Sequence, residues 1–427
     1  MDINRKTAYL TLLDIEKNKA YSNLSLKNNI GQQKPQNQPF VREIVYGVLK
    51  NKLLLDYYLS PFIRSGLTKL KKQDITLLRM GAYQLIYMNS VPHYAAVNET
   101  VALARYFAKG RERFINGVLR NLSKKIDDNC LPPLPDRNAD FIKYSSVRYS
   151  VNPWIVKLWE DAYGQERAEK ILSASNDIPG LSIRVNTLKN TPDELKDKLE
   201  RQGFQVRFSE HTSRGLIVNG TGVLDTELFK EGMFSVQDEA SIIASDILGA
   251  KPGDLVIDVC AAPGGKTFAT AEMMKNRGKI ISMDKYMHKL EMMQKEAEKN
   301  KMDIVHTICH DSTTAIGDFE EKADRVLADV PCSGLGVLRR KPEIKYKSDE
   351  EMKELIARQG QILAASARYV RPGGVLVYST CTINPEENER QIEKFTGNNT
   401  DYTVEKTINL FPTEGTDGFF ICRMIKK

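Results

Sequence analysis

Two cysteines close segments that read as buried strands, in Ala328-Asp329-Val330-Pro331-Cys332 and Tyr378-Ser379-Thr380-Cys381. Upstream lies a glycine-rich turn, Asp258-Val259-Cys260-Ala261-Ala262-Pro263-Gly264-Gly265-Lys266-Thr267, which reads as a strand-to-helix connection. A thiolate is a strong nucleophile, and a thiol at a strand end is presented rather than packed away. A turn of small residues lets backbone amides approach a ligand at the following helix N-terminus. These residues suit a temporary carbon–sulfur bond made while a nucleotide-like cofactor is held nearby. The six cysteines, at 130, 260, 309, 332, 381 and 422, contain no C-x-x-C pair, and no His pair has ligand spacing, so no metal is expected. Cys130, Cys309 and Cys422 are expected to be small buried hydrophobes.

The turn has two rival readings. It lacks the G-x-G-x-x-G of a dinucleotide site, whereas Gly265-Lys266-Thr267 fits the end of a P-loop, with Cys260 in the first glycine position. Leu327-Ala328-Asp329 imitates the metal-binding strand of an ATPase, so a P-loop-like ATPase stays open. Three acids favour another ligand. Asp284 ends the next strand, where a carboxylate can bind ribose hydroxyls; Asp311 follows the third, placed to meet an adenine amino group; Asp329 ends the fourth.

The elements that must position these residues follow from periodicity. From 236 onward, strands at 255–259, 279–283, 304–309, 325–328 and 375–379 alternate with helices near 266–276, 286–299 and 350–370. That alternation implies an α/β domain, a doubly wound, mostly parallel sheet that binds ligands beyond its carboxyl strand ends. Residues 1–130 read as an all-α bundle. Ile44, Val48, Leu49, Leu53 and Leu55 recur on one face; Leu70, Leu77, Met80, Gln84 and Tyr87 mark a second, with Gly81 at a close helix crossing. The Pro-rich tract 131–136 cannot continue a helix and opens a linker over 131–140. Residues 141–235 form a small α+β connecting or RNA-binding region. There Asn152-Pro153 and Thr191-Pro192-Asp193-Glu194 start helices, and 181–186 alternates like a strand.

Composition fits a chain of several domains: 427 residues, 41% hydrophobic and 27% charged. No apolar run approaches the ~18 residues of a membrane span, and the N-terminal residues lack the apolar core of a signal peptide. A cytoplasmic protein with reduced thiols, without membrane association and monomeric, is expected. Residues 1–130 hold 21 Lys and Arg against 10 Asp and Glu, a balance of +11; the rest hold 41 against 45, a balance of −4. A basic front suits a polyanion. Arg339-Arg340-Lys341, just after the Pro-Cys segment, would clamp phosphates beside a reacting base, and binding should weaken steeply with salt.

A thiolate that adds to cytosine C6 turns an aromatic ring into an enamine-like species whose C5 can attack an electrophilic methyl group. In this light residues 232–427 resemble the RNA cytosine-5 methyltransferases that use S-adenosylmethionine. The matching motifs are Gln237-Asp238-Glu239-Ala240-Ser241, the Cys260–Lys266 turn, Asp329-Val330-Pro331-Cys332-Ser333-Gly334, Thr380-Cys381 with Pro385-Glu386-Glu387-Asn388, and the position of Asp417-Gly418-Phe419-Phe420. The resemblance implies that Cys381 is the nucleophile and that Cys332 assists release, with Asp329 at the catalytic centre. It also implies cofactor contacts from Cys260, Ala261, Ala262, Pro263, Gly264, Gly265, Lys266, Asp284, Asp311 and Asp329. DNA cytosine methyltransferases use a Pro-Cys nucleophile, so the reverse assignment of the two thiols stays open.

Segments 40–50, 79–85 and 114–120 are similar to the NusB-type helical RNA-binding domain. That domain fused ahead of the catalytic unit resembles the bacterial 16S ribosomal RNA methyltransferases of the RsmB/Sun/Fmu family. The resemblance implies 5-methylcytosine formation in 16S ribosomal RNA, free or in an assembling small subunit, with S-adenosylhomocysteine as product. Beside the ATPase, a non-catalytic RNA-binding or antitermination factor is the second rival.

Overall fold

A computed structural model describes residues 2–427 and divides the chain into two compact units. The first runs to Asp177 and includes a later segment, Leu338–Ser348; the second comprises Ile178–Val337 and Asp349–Lys427.

The first unit is helical. Seven α-helices between Ile3 and Asp127 pack around Tyr9, Ile44, Leu55, Leu77 and Leu119. Gly81 lies where helix Lys72–Tyr87 crosses its neighbours: a Cβ there would stand 2.6 Å from the Leu119 side chain and 3.3 Å from Thr100 Oγ1. Two further helices, Phe141–Tyr149 and Pro153–Ala174, fall in this unit, although the sequence groups them with the strands that follow. The reason is bonding between residues 76 to 97 positions apart, across the Pro-rich tract. Ser150 Oγ accepts the Leu53 and Leu54 amides at 2.8 and 3.1 Å, and Tyr57 donates to the Pro133 carbonyl at 2.6 Å. Asn152 makes no cap bond; its side-chain amide donates to the Lys347 carbonyl at 2.9 Å. The Leu338–Ser348 strap is anchored by Lys345, whose ammonium donates to the Lys50 and Tyr149 carbonyls at 3.3 and 3.2 Å and to Asn176 Oδ1.

The second unit holds two sheets. In the smaller, β1 (Leu181–Val185), β2 (Gln205–Phe208), β3 (Gly215–Asn219) and β4 (Phe234–Val236) lie in the order β2-β3-β1-β4, all antiparallel. Helix Pro192–Arg201 follows β1 and begins as its sequence directs. Thr191 Oγ1 accepts the Glu194 amide at 3.2 Å and Glu194 Oε2 accepts the Thr191 amide at 2.9 Å, a reciprocal cap worth about 1 kcal/mol.

The larger sheet has seven strands: β5 (Leu255–Asp258), β6 (Lys279–Asp284), β7 (Val305–Cys309), β8 (Ala323–Asp329), β9 (Val370–Thr380), β10 (Tyr402–Leu410) and β11 (Phe419–Lys426). Their order is β10-β11-β9-β8-β5-β6-β7, with the five strands from β9 to β7 parallel. The expected doubly wound, mostly parallel sheet is therefore present. Its order reverses between β5 and β8, which opens a ligand crevice at their carboxyl ends. The hairpin of β10 and β11 runs antiparallel against β9, with Phe420 opposite Thr380. Because β11 enters where β9 leaves, Gly418 arrives near the Cys381 carbonyl.

Candidate active site

The carboxyl ends of β5, β6, β8 and β9 carry the turn from Cys260, then Asp284, Asp329 and Cys381. Asp311 and Cys332 follow β7 and β8 by two and three residues. Parallel pairing aligns these ends, with Asp284 beside Cys309 and Asp329 beside Ser379.

A cavity of about 230 Å³ lies over the ends of β5 to β7, lined by Cys260, Asp284, Tyr286, Asp311, Pro331 and Ile362 among others. Burial, reinforced by the charges of Asp258, Asp329, Asp284 and Asp311, pushes the Cys260 thiol well up, so it lines the site as a neutral group. Asp284 Oδ1 accepts the Tyr286 amide at 3.0 Å. Asp311 takes Lys285 Nζ at 2.8 Å and Thr313 Oγ1 at 2.9 Å, and the Lys285 bond leads the causes that lower its carboxyl to about 2. Gln237 keeps a buried Nε2 with no hydrogen-bond partner among the described residues, 3.6 Å from where a Cβ on Gly265 would stand. A buried donor at the glycine turn, with acids lining the cavity, fits a cofactor bearing a carboxylate tail, a ribose diol and an adenine.

Sequence reasoning passed over the residues that pin this turn. Arg184 of β1 is fully buried; it grips Glu272 Oε2 and Oε1 at 2.9 and 2.8 Å and donates to Gln237 Oε1 and, at 2.7 Å, to the Gly265 carbonyl. A lone Arg in an alternating strand gives no local sign that its partners lie 53 to 88 residues away. In the sequence Asp258 marks only the start of the turn. It is buried, accepts Thr267 Oγ1 at 2.7 Å, and burial, aided by Asp329 and opposed by Thr267, lifts its carboxyl to about 7.

Lys266 donates to Asp329 Oδ2 at 2.7 Å, and Ser379 Oγ donates to Asp329 Oδ1 at 2.8 Å. Burial pulls the Lys266 ammonium down, but the attraction of Asp329 and then of Cys381 leaves it raised. The same cation therefore favours negative charge on the Cys381 sulfur. The Cys332 and Cys381 sulfurs lie 3.2 Å apart as half-buried, unbridged thiols. Their hydrogen bond, ahead of burial and the charges of Cys381 and Glu387, holds the Cys332 thiol well above its ordinary value. A backbone strut supports the pair, since the Gly336 amide donates to the Cys381 carbonyl at 3.1 Å and the Gly418 amide to the Gly336 carbonyl at 2.8 Å.

The basic triplet, expected to clamp phosphates from its position after the Pro-Cys segment, is for the most part not exposed. Arg339 is buried, Arg340 half-buried, and only Lys341 exposed, its Nζ 5.8 Å over the Tyr21 ring. Leu338–Ser348 turns inward to anchor in the first unit, and the arginines go with it. Of the three cysteines expected in the core, Cys422 is buried whereas Cys130 and Cys309 are exposed. Among the described residues no helix is long and apolar enough to cross a membrane.

Asp329 engages Lys266 and a cysteine fills the first glycine position, so the turn departs from the P-loop pattern an ATPase would use. The sheet order, the turn and the acids at successive strand ends define an S-adenosylmethionine-dependent methyltransferase. The model of the 16S rRNA methyltransferase RsmB/F family matches residues 245–425; that of the NusB family matches residues 2–124, and the RsmF/B-like ferredoxin-like domain residues 152–224. The chain is 38% identical to a probable ribosomal RNA small subunit methyltransferase B of Bacillus subtilis, covering 99% of this chain and 98% of that one. It is 32% identical to a probable ribosomal RNA small subunit methyltransferase B of Synechocystis, covering 94% and 90%. The solved structure of PH0851 superposes with a TM-score of 0.84 at 26% identity, covering 100% and 99%. A methyltransferase homolog protein from Pyrococcus horikoshii superposes at 0.61 and 27%, covering 67% and 99%. The chain belongs to the RsmB/F family of 16S rRNA methyltransferases. An enzyme is thereby established, and the non-catalytic factor is set aside.

Proposed function

We propose that this chain methylates C5 of a cytosine in 16S ribosomal RNA through a transient bond between Cys381 Sγ and C6. The observation that carries the reading is the contact of two thiols at the ends of adjacent parallel strands, 3.2 Å apart, beside the cofactor cavity. The Cys260–Lys266 turn with Asp284 and Asp311 would hold S-adenosylmethionine, which would supply an electrophilic methyl group. Cys381, favoured as thiolate by Lys266, gives its electron pair to C6 and makes C5 the nucleophilic carbon. Methyl transfer would release S-adenosylhomocysteine; a water molecule acting as base would then take the C5 proton, the C5–H electron pair would form the C5–C6 double bond, and the C6–S pair would return to Cys381. Cys332, still protonated, donates a hydrogen bond to that departing thiolate. Asp329 keeps Lys266 and β9 in register.

The target base must first leave its stack, at about a few kcal/mol, and phosphate contacts of the basic first unit would offset that cost. We place the enzyme in the cytoplasm, acting as a single chain on free RNA or on an assembling small subunit. The test is tritium release from RNA labelled at cytosine C5. Cys381→Ala should abolish it, and Cys332→Ala should accumulate a covalent protein–RNA adduct. Adduct trapping by Cys381→Ala instead would exchange the two roles, and no release by the unaltered enzyme would end the reading.

A further inference from the structure

Glu387 follows Cys381 by six residues and is completely buried. Five neutral donors converge on its two carboxylate oxygens. Oε1 accepts from Ser333 Oγ at 2.5 Å, Asn384 Nδ2 at 3.0 Å and Thr382 Oγ1 at 3.4 Å. Oε2 accepts from the Ser333 amide at 2.8 Å and Gln359 Nε2 at 2.9 Å. That Gln359 nitrogen also reaches the Pro331 carbonyl at 2.9 Å, and Ser333 Oγ lies 2.9 Å from Thr382 Oγ1. The donors are the residues flanking the thiols: Ser333 is next to Cys332, and Thr382 is next to Cys381. The Glu387 carbonyl is itself fixed by the Tyr378 hydroxyl at 2.7 Å.

A carboxylate removed from water is costly unless its lone pairs are filled, and all five of these partners are donors. An amide of the same shape would turn an N–H₂ toward Ser333 or Gln359, donor against donor. The site therefore requires an acceptor at both oxygens, which mere packing would not.

We propose that Glu387 is a positioning residue: its carboxylate clamps the loop after β8 to the loop after β9 and so sets the separation of the Cys332 and Cys381 sulfurs. The kinetic consequence rests on the thiol roles proposed above; the geometric consequence does not.

Phenylarsine oxide separates the two. It condenses with a close pair of thiols, forming two As–S bonds and releasing water, so its affinity reports sulfur spacing without RNA. The unaltered enzyme should bind one equivalent, reversed by a dithiol. Glu387→Gln should bind it at least tenfold more weakly, and kcat should fall on the order of 10²-fold while KM for RNA stays put, as for a misplacement of about 1 Å. Its Kd for S-adenosylmethionine should stay within about twofold, which a general collapse would not allow. Glu387→Asp, which keeps both acceptors on a shorter stem, should recover part of both losses. Unchanged arsenical affinity and unchanged kcat in a folded Glu387→Gln variant would overturn the clamp. If that variant does not fold, Gln359→Met removes one donor and should shift both readouts in the same direction; no shift there would also overturn it. Weakened arsenical binding alongside an unaltered enzyme that makes no 5-methylcytosine would support the clamp and sink the function instead.

Discussion

Replacing Lys345 by methionine should remove a pH dependence from the stability of the first unit. The Lys345 side chain is fully buried, and its ammonium is set among the Lys50 and Tyr149 carbonyls and Asn176 Oδ1. Burial, then repulsion from Lys50, lowers its pKa to about 7. In the unfolded chain the group titrates near its ordinary ~10.4. Between these values the unfolded chain binds a proton that the folded chain lacks, so stability rises with pH; the contribution is complete above the unfolded value and is lost as pH falls through 7. For a single site with those two constants, the gain is about 1.4 kcal/mol between pH 6 and pH 8. Both tryptophans of the chain, Trp154 and Trp159, lie in this unit, so their fluorescence follows its unfolding in urea separately from the other unit. Unaltered protein and Lys345→Met should differ by about 1.4 kcal/mol more at pH 8 than at pH 6, in favour of lysine. Lys50, also lowered by burial, is present in both proteins, so its own titration largely cancels. A difference that stays flat over this range would show that three oxygens hold the ammonium as well as water does.

Two other outcomes follow from the site. Arg184→Met leaves Glu272, which is itself 1% exposed, with only the longer ion pair to Arg214 at 3.8 Å, and should cost about 3 kcal/mol in denaturant unfolding of the second unit; adding Glu272→Leu should restore most of it, and an additive double variant would contradict the pairing. Gly336→Ala would place a Cβ 1.9 Å from the Gly418 carbonyl oxygen and 2.9 Å from that of Cys381, both backbone atoms that cannot rotate aside. Tritium release should fall at least 10²-fold while S-adenosylmethionine binding survives in equilibrium dialysis, and near-normal turnover would show that the strut is not needed.

Much of the second unit is legible because its signals are local. Buried parallel strands read as apolar runs, and each ends in the acid or thiol that the sheet then lines up. The hairpin of β10 and β11 was missed because β10 is exposed along nearly its whole length and carries no burial pattern to read. The Thr191 cap was legible since its partners are three residues apart, whereas Asn152, in an equally good cap sequence, was drawn away by Lys347, 195 residues on. Charge counting found a basic front, whereas the position of Arg339 just after the Pro-Cys segment does not say which way that segment turns, and Arg339 is buried.

What the sequence determined by itself is the alternation of strands and helices from β5 to β9, the glycine turn and the residue types at strand ends, since these depend on neighbours a few positions apart. Tertiary structure alone decided that two sulfurs 49 residues apart would touch, that Glu387 would gather donors from both their loops, and that Leu338–Ser348 would be held by the helical unit. Hydrogen bonds across such separations depend on how elements pack, and no local pattern along the chain encodes that packing.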